Sequence, residues 1–286
     1  MKKELLVCTF SGGRTSAFMA LFISQLPKYK DNYDIVFIFC NTGKERPETL
    51  KFVKDCQDNW GIEIVWLEAK INQGRVGTSF NIVDFETASR NGEPFEAMLE
   101  KYPIPNMYAS NCTRELKMRP IEKYISFLGY DNYTKAMGIR KDEEHRRSVN
   151  AKKDNIIYPL MDDIQVDSSF IRNWWDRQNF DLKLKDYQGN CDLCFKKSLR
   201  KKLTIIKEDP DSAEWWSNME KKFGTESVPR FELAINGKKG HTIEELVELA
   251  KKPFQTVHDV HEISLTQNTL FDLDLDSESD CYCKAT

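Results

Sequence analysis

The turn Ser11-Gly12-Gly13-Arg14-Thr15-Ser16 constrains this chain more than any other feature, because of what stands on either side of it. Before it runs Leu5-Leu6-Val7-Cys8-Thr9-Phe10, an apolar stretch of strand length, and after it Ala17-Phe18-Met19-Ala20-Leu21-Phe22 continues in a helical pattern. A strand that hands a Gly-rich turn to a helix N-terminus aims backbone N–H groups at an anion, and the missing Cβ atoms let phosphate oxygens come close. The spacing predicts a phosphate-binding loop. It has neither the Lys that a Walker A loop carries before its last Ser/Thr nor the third Gly of the dinucleotide fingerprint. A plain connecting turn is the alternative.

Residues 4 to 10, 34 to 40 and 62 to 67 read as buried strands, residues 15 to 26 as a helix, and Pro47-Glu48-Thr49-Leu50 as the opening of another. Strand and helix alternate, which predicts an α/β fold on a parallel sheet with right-handed crossovers. Ligands of such sheets bind beyond the carboxyl ends of the strands, where Ser11 and Asn41-Thr42-Gly43 would both lie. Residues 70 to 111 read as a long excursion with one short helix. A helix over 114 to 128 and a strand over 133 to 138 follow, the latter leading into Gly138-Ile139-Arg140-Lys141-Asp142-Glu143. After Pro159 the texture changes to helices rich in Trp, Lys and Glu, near 168 to 177, 193 to 207, 211 to 223 and 242 to 251. The expected division is a nucleotide-binding domain over 1–164, a helical region over 165–255, and a polar acidic tail over 256–286 that ends in Cys281-Tyr282-Cys283.

A net charge of -3 argues against a protein that coats nucleic acid through a generally basic surface. The first apolar run is too short for a secretory core and no stretch reaches membrane-spanning length, so a cytoplasmic protein is expected. In that compartment eight cysteines point to metal, cluster or catalytic roles, since thiols there are kept reduced. Cys8, Cys40 and Cys56 fall in apolar patterns and read as core. Cys112, Cys191, Cys194, Cys281 and Cys283 sit in polar, turn-like surroundings. Cys191-Asp192-Leu193-Cys194 has the spacing that lets two thiolates reach one metal. The pairs Trp174-Trp175 and Trp215-Trp216, interleaved with Lys196-Lys197 and Arg200-Lys201-Lys202, fit either stacking on a nucleic acid or plain core packing.

Four stations in order resemble one family. Ser11–Ser16 resembles the pyrophosphate (PP) loop of the ATP-pyrophosphatase superfamily, and residues 41 to 49 are similar to the segment after the second strand in phosphoadenosine phosphosulfate (PAPS) reductases. Residues 112 to 120 and 138 to 143 match two further stations of that family. The resemblance implies a Rossmann-like PP-loop fold of the adenine nucleotide alpha hydrolase kind, with a helical C-terminal portion. It implies ATP phosphates on Ser11, Gly12, Gly13, Arg14, Thr15 and Ser16, with Mg²⁺, and adenine and ribose near Asn41, Thr42 and Gly43. Arg140 would reach the phosphates or the second substrate. Thr15 stands where the superfamily usually has Asp.

The distance from Cys112 to Cys191 resembles that between the cysteine stations of cluster-bearing adenosine phosphosulfate (APS) reductases, although those carry adjacent cysteines at the early station. Cys112, Cys191 and Cys194 are therefore expected to hold a four-iron four-sulfur cluster, with one iron open or with Cys281 or Cys283 as fourth ligand, Cys283 being the one assigned. A four-thiolate zinc site is the alternative. Cys281 and Cys283 are also candidate catalytic thiols, outside the Glu-Cys-Gly context of the reductases. The function expected is ATP-dependent sulfur transfer, in which an acceptor such as a nucleic acid or nucleotide is adenylylated and then thiolated. The partners expected are an adenine nucleotide, a sulfur donor protein or sulfide, and a second copy of the chain. The rivals are reduction of APS or PAPS to sulfite and a non-catalytic nucleotide- and cluster-binding protein.

Overall fold

A computed structural model describes residues 3–232 and 240–258, which leaves Cys281, Cys283 and most of the expected acidic tail outside the described residues. Six strands form one sheet: β1 (Glu4–Phe10), β2 (Tyr33–Asn41), β3 (Ile64–Lys70), β4 (Ser79–Val83), β5 (Tyr133–Ala136) and β6 (Ile156–Ile157), in the order β4-β3-β2-β1-β5-β6. All neighbours are parallel except β3 and β4. The fold is α/β and Rossmann-like.

The central position of β1 explains its unbroken apolar sequence, because a strand covered on both faces needs apolar residues at every position. Leu6, Cys8 and Phe10 enter one core with helices α1 (Arg14–Gln25), α2 (Pro27–Lys30) and α3 (Pro47–Trp60). Leu5 and Val7 point the other way, into a second cluster with Ile38, Cys40, Leu67, Tyr124 and Ile125. Cys8, Cys40 and Cys56 are buried, as expected of core thiols.

The stretch from 70 to 111 differs from its expected description. It contains α4 (Glu93–Leu99), the anticipated short helix, but also the antiparallel strand β4. That strand is a half-exposed edge of five residues paired with β3 alone, so its sequence carries no buried apolar run to announce it. Next come α5 (Asn111–Thr113), a π-helical turn over Arg114–Met118, and α6 (Arg119–Phe127), together filling the expected helix. A 3₁₀ turn over Lys141–Arg146 and the short α7 (Pro159–Asp162) lead to α8 (Ser168–Trp175).

The last helices among the described residues are α9 (Leu199–Glu208), α10 (Glu214–Phe223) and α11 (Ile243–Ala250). The apolar pattern places the start of α9 at Leu193, six residues early. Ser198 is the true N-cap and accepts from Lys201 N, which leaves 193 to 198 as a turn. The packing changes partner later than residue 164. Val166, Ile171, Trp175, Leu182 and Leu184 belong to the sheet's first core, whereas Tyr187, Leu193, Ile205 and Trp216 build another that also takes Phe95, Met98 and Leu116. Trp175 and Trp216 are each 1 % exposed and serve as core residues, with Trp174 and Trp215 packed edge-on against them. No helix among the described residues is long and apolar enough to cross a membrane.

Candidate nucleotide-binding site

Residues 11 to 13 join β1 directly to α1, and the side chain of Ser16 folds the loop back on itself. Its Oγ accepts from Ser11 N (3.1 Å) and Ser11 Oγ (2.9 Å) and donates to Gly13 O (2.9 Å). Gly12 adopts a left-handed φ of +82°. Gly13 is the N-cap of α1, no side chain caps the helix, and no acid stands in its first turn. A twelve-residue helix left in that state favours an anion at its start.

Arg14 does not turn its guanidinium to this loop. Nε and Nη2 donate to the two carboxylate oxygens of Asp181, both at 2.8 Å, and Nη2 also to Leu182 O (2.6 Å). The backbone carbonyl of Arg14 accepts from Trp175 Nε1 at 3.0 Å. Arg14 therefore shapes the loop from behind, and the segment around Trp175 to Leu184 braces it.

The station after β5 arrives at the same place. Gly138 sits so close to α1 that a Cβ there would stand 3.3 Å from Ser16 Cα. Arg140 Nη1 donates to Thr15 Oγ1 (3.1 Å), while its Nε and Nη2 donate to Asp142 (3.0 and 3.1 Å). Thr15, the residue that departs from the superfamily's Asp, thus offers its hydroxyl to Arg140. The carboxylate of Asp142 holds the other edge of the same guanidinium.

The segment after β2 packs against the loop from the opposite side. A Cβ on Gly12 would meet Thr49 Cγ2 at 2.4 Å and Phe39 Cε2 at 3.3 Å. Asn41 and Thr42 are 0 % and 1 % exposed, and their side chains are used inside the segment. Asn41 Nδ2 donates to Glu68 Oε1 (2.6 Å) and Ser89 O (2.8 Å), and its Oδ1 accepts from Gly43 N (3.1 Å). Thr42 gives both its N–H and its hydroxyl to Glu45 Oε2, each at 2.8 Å. Gly43, at φ +79°, approaches Gly92 so closely that a Cβ would lie 3.0 Å from Gly92 Cα. As placed, these three residues build the segment.

The cysteine turn joins this assembly. Cys194 N donates to Cys191 O (3.3 Å), closing a turn whose Cys191 Sγ lies 3.6 Å from Thr42 Oγ1. Asp192 of the same turn pairs with Lys44 Nζ (3.3 Å) and accepts from Trp216 Nε1 (2.6 Å). Burial and the Glu45 carboxylate push the Cys191 thiol well above its ordinary pKa, against the pull of the Lys117 ammonium. Cys112 and Cys191 both pack against the core of the helical layer. Among the described residues no group of three or more His, Cys, Asp or Glu is arranged to hold a metal ion. The thiols are the soft donors that an iron–sulfur cluster takes, but as placed they do not form a complete ligand set. Sequence reasoning ties the turn to Cys112 and to Cys281 or Cys283, and gives no sign of its contact with Thr42 and Lys44, which arises between residues about 150 apart along the chain.

Comparison with known proteins decides the family. The model of the phosphoadenosine phosphosulfate reductase domain matches residues 5–153, more than half of the 286 residues. The chain belongs to that family. The matched span takes in residues 11 to 16, Asn41 to Gly43, Cys112 and Arg140, and stops before Cys191. The chain is 36 % identical over 200 residues to the uncharacterized nin region protein ORF290 of Escherichia phage lambda, covering 68 % of this chain and 67 % of that protein. It is 30 % identical over 152 residues to an uncharacterized protein of Methanocaldococcus jannaschii, covering 53 % of this chain and 26 % of that protein. The phosphoadenylyl-sulfate (PAPS) reductase of Candida auris, solved as a phosphate complex, is similar at 17 % identity and a TM-score of 0.35 over 60 % of this chain and 71 % of that chain. At that distance the likeness carries nothing about substrate.

Proposed function

We propose that this family member binds ATP with its phosphates on residues 11 to 16 and uses it for sulfur transfer. The observation that carries the reading is the start of α1: a helix N-terminus with no capping side chain, closed by Ser11 and Ser16, with Arg140 held beside it. An acceptor oxygen would attack the α-phosphorus and expel pyrophosphate. Sulfide, free or delivered by a donor protein, would then displace AMP from the acceptor atom, forming the new bond to sulfur. Mg²⁺ on the triphosphate would offset the charge that gathers on the leaving pyrophosphate. The loop's N–H groups would orient the phosphates, and Arg140 would stabilise the anion through whatever edge its Asp142 pair leaves to the ligand. A nucleic acid or nucleotide is the acceptor class proposed.

A second reading, reduction of APS or PAPS to sulfite, draws its support from the family itself. Its catalytic thiol would be Cys281 or Cys283, both outside the described residues. One measurement separates the two. Mg²⁺-dependent release of pyrophosphate from ATP, stimulated by sulfide and acceptor, is the expected result. Thiol-dependent release of sulfite from APS or PAPS, without pyrophosphate formation from ATP, would establish the reductase instead.

We also propose Cys112, Cys191, Cys194 and Cys283 as ligands of an iron–sulfur cluster, with no step of the chemistry above routed through it. Anaerobically prepared protein is expected to contain iron and acid-labile sulfide and to lose its visible absorbance in Cys194→Ala. Stoichiometric zinc, or no metal at all, in such a preparation would refute this.

A further inference from the structure

Arg46 caps the N-terminus of α3, between Glu45, which holds Thr42, and Thr49, which packs against Gly12. Its side chain is 14 % exposed, and Nη1 lies 3.5 Å from the Asp209 carboxylate. Its Nε and Nη2 are buried and have no hydrogen-bond partner among the described residues. Those two nitrogens form the edge of the guanidinium that matches two oxygens of a tetrahedral or planar oxyanion. Buried donors in folded proteins are nearly always paired, so a whole donor edge left unpaired marks a place for a partner that the described residues do not supply.

The neighbouring cations use their edges differently. Arg14 gives Nε and Nη2 to Asp181, Arg140 gives the same two atoms to Asp142, and Lys44 pairs with Asp192. Glu48 Oε2, two residues on, is also buried without a partner among the described residues, an acceptor suited to a ligand that carries a hydroxyl or amino hydrogen as well.

We propose that the Nε–Nη2 edge of Arg46 binds a second oxyanion, a sulfate or phosphoryl group distinct from the phosphates on the PP-loop. This rests on the nucleotide reading above. The oxyanion could be carried on the nucleotide or arrive separately, and the two sources are separable by titration calorimetry on the full chain. One arm compares APS with AMP, and the other adds inorganic sulfate with and without saturating ATP.

At least one arm is expected to show an affinity gain from the sulfate of about tenfold or more, the effect of a charge-assisted pair. R46A should lose that gain while AMP and ATP affinities stay within about twofold, a change too small to count as a lost hydrogen bond. R46K, which keeps the charge without the two-pronged edge, should recover only part of the gain. D209N should keep all of it. The proposal is overturned if wild-type protein shows no gain in either arm, if R46A retains it, or if D209N loses it as R46A does. Thermal unfolding of each variant identifies loss through misfolding, and R46K then decides. Failure of the wild-type chain to bind any ATP would sink the nucleotide reading, and the sulfate titration without nucleotide would still decide Arg46.

Discussion

Gly13→Val is expected to lower ATP affinity by about 100-fold or more while shifting the melting temperature by no more than about 2 °C. The backbone of Gly13 has φ -104° and ψ 160°, an extended conformation open to any residue. A Cβ added there meets only Ser11 Oγ, at an ordinary 3.8 Å. The fold should therefore accept the side chain. The two γ-methyl groups of Val would stand at the N-cap of α1, where the proposed phosphate must approach the backbone. Loss of two charge-assisted hydrogen bonds, each about 1.5 kcal/mol, accounts for the predicted factor. Calorimetric titration with ATP, beside a thermal melt, checks both halves. A folded variant with unchanged affinity would remove the PP-loop from the site.

The neighbouring substitution, Gly12→Val, should fail for a different reason. Gly12 holds a left-handed φ of +82°, and its Cβ would stand 2.4 Å from the Thr49 methyl group. The backbone strain costs about 1–3 kcal/mol and the overpacking about as much again. A total of about 2–6 kcal/mol corresponds to a melting temperature lower by roughly 5–15 °C. Chemical denaturation should give the same loss without ligand present. A melt that matches wild type would mean that α3 moves away from the loop at little cost. Sequence alone treats Gly12 and Gly13 as equivalent, but in the structure Gly12 is packed against Thr49 and Phe39 while Gly13 has room for a side chain.

What could be read from the sequence follows from how local each signal is. β1, α1 and the first turn of α3 carry their own patterns of period and turn chemistry, so their order and the carboxyl-end location of the site were legible. β4 was not, because Ser79-Phe80-Asn81-Ile82-Val83 becomes a strand only through pairing with β3. The start of α9 was misplaced because Leu193 and Phe195 are apolar for the core of the helical layer, whereas the boundary is set by the Ser198 cap. Arg14 was grouped with the phosphate residues by its place in the loop. Its partner, Asp181, is 167 residues away, and nothing local forecasts an ion pair at that range. Arg46 passed unnoticed for the opposite reason: its significance is a missing partner, and sequence patterns do not register absent bonds.

The brace on Arg14 bears on the order in which the molecule is made. β1 pairs with β2 early in the chain, but its other neighbour, β5, begins at Tyr133, and the loop's supports are Trp175, Asp181 and Leu182. Contacts between groups so far apart along the chain close late and slow the search for the native topology. During synthesis, residues 4 to 16 leave the ribosome as a strand and a turn whose tertiary supports, at 175 to 182, have not yet been translated. The Gly-rich loop is thus synthesised well before the residues that fix its shape, so a nascent chain that ends before residue 181 displays the loop sequence without the geometry that the folded protein gives it.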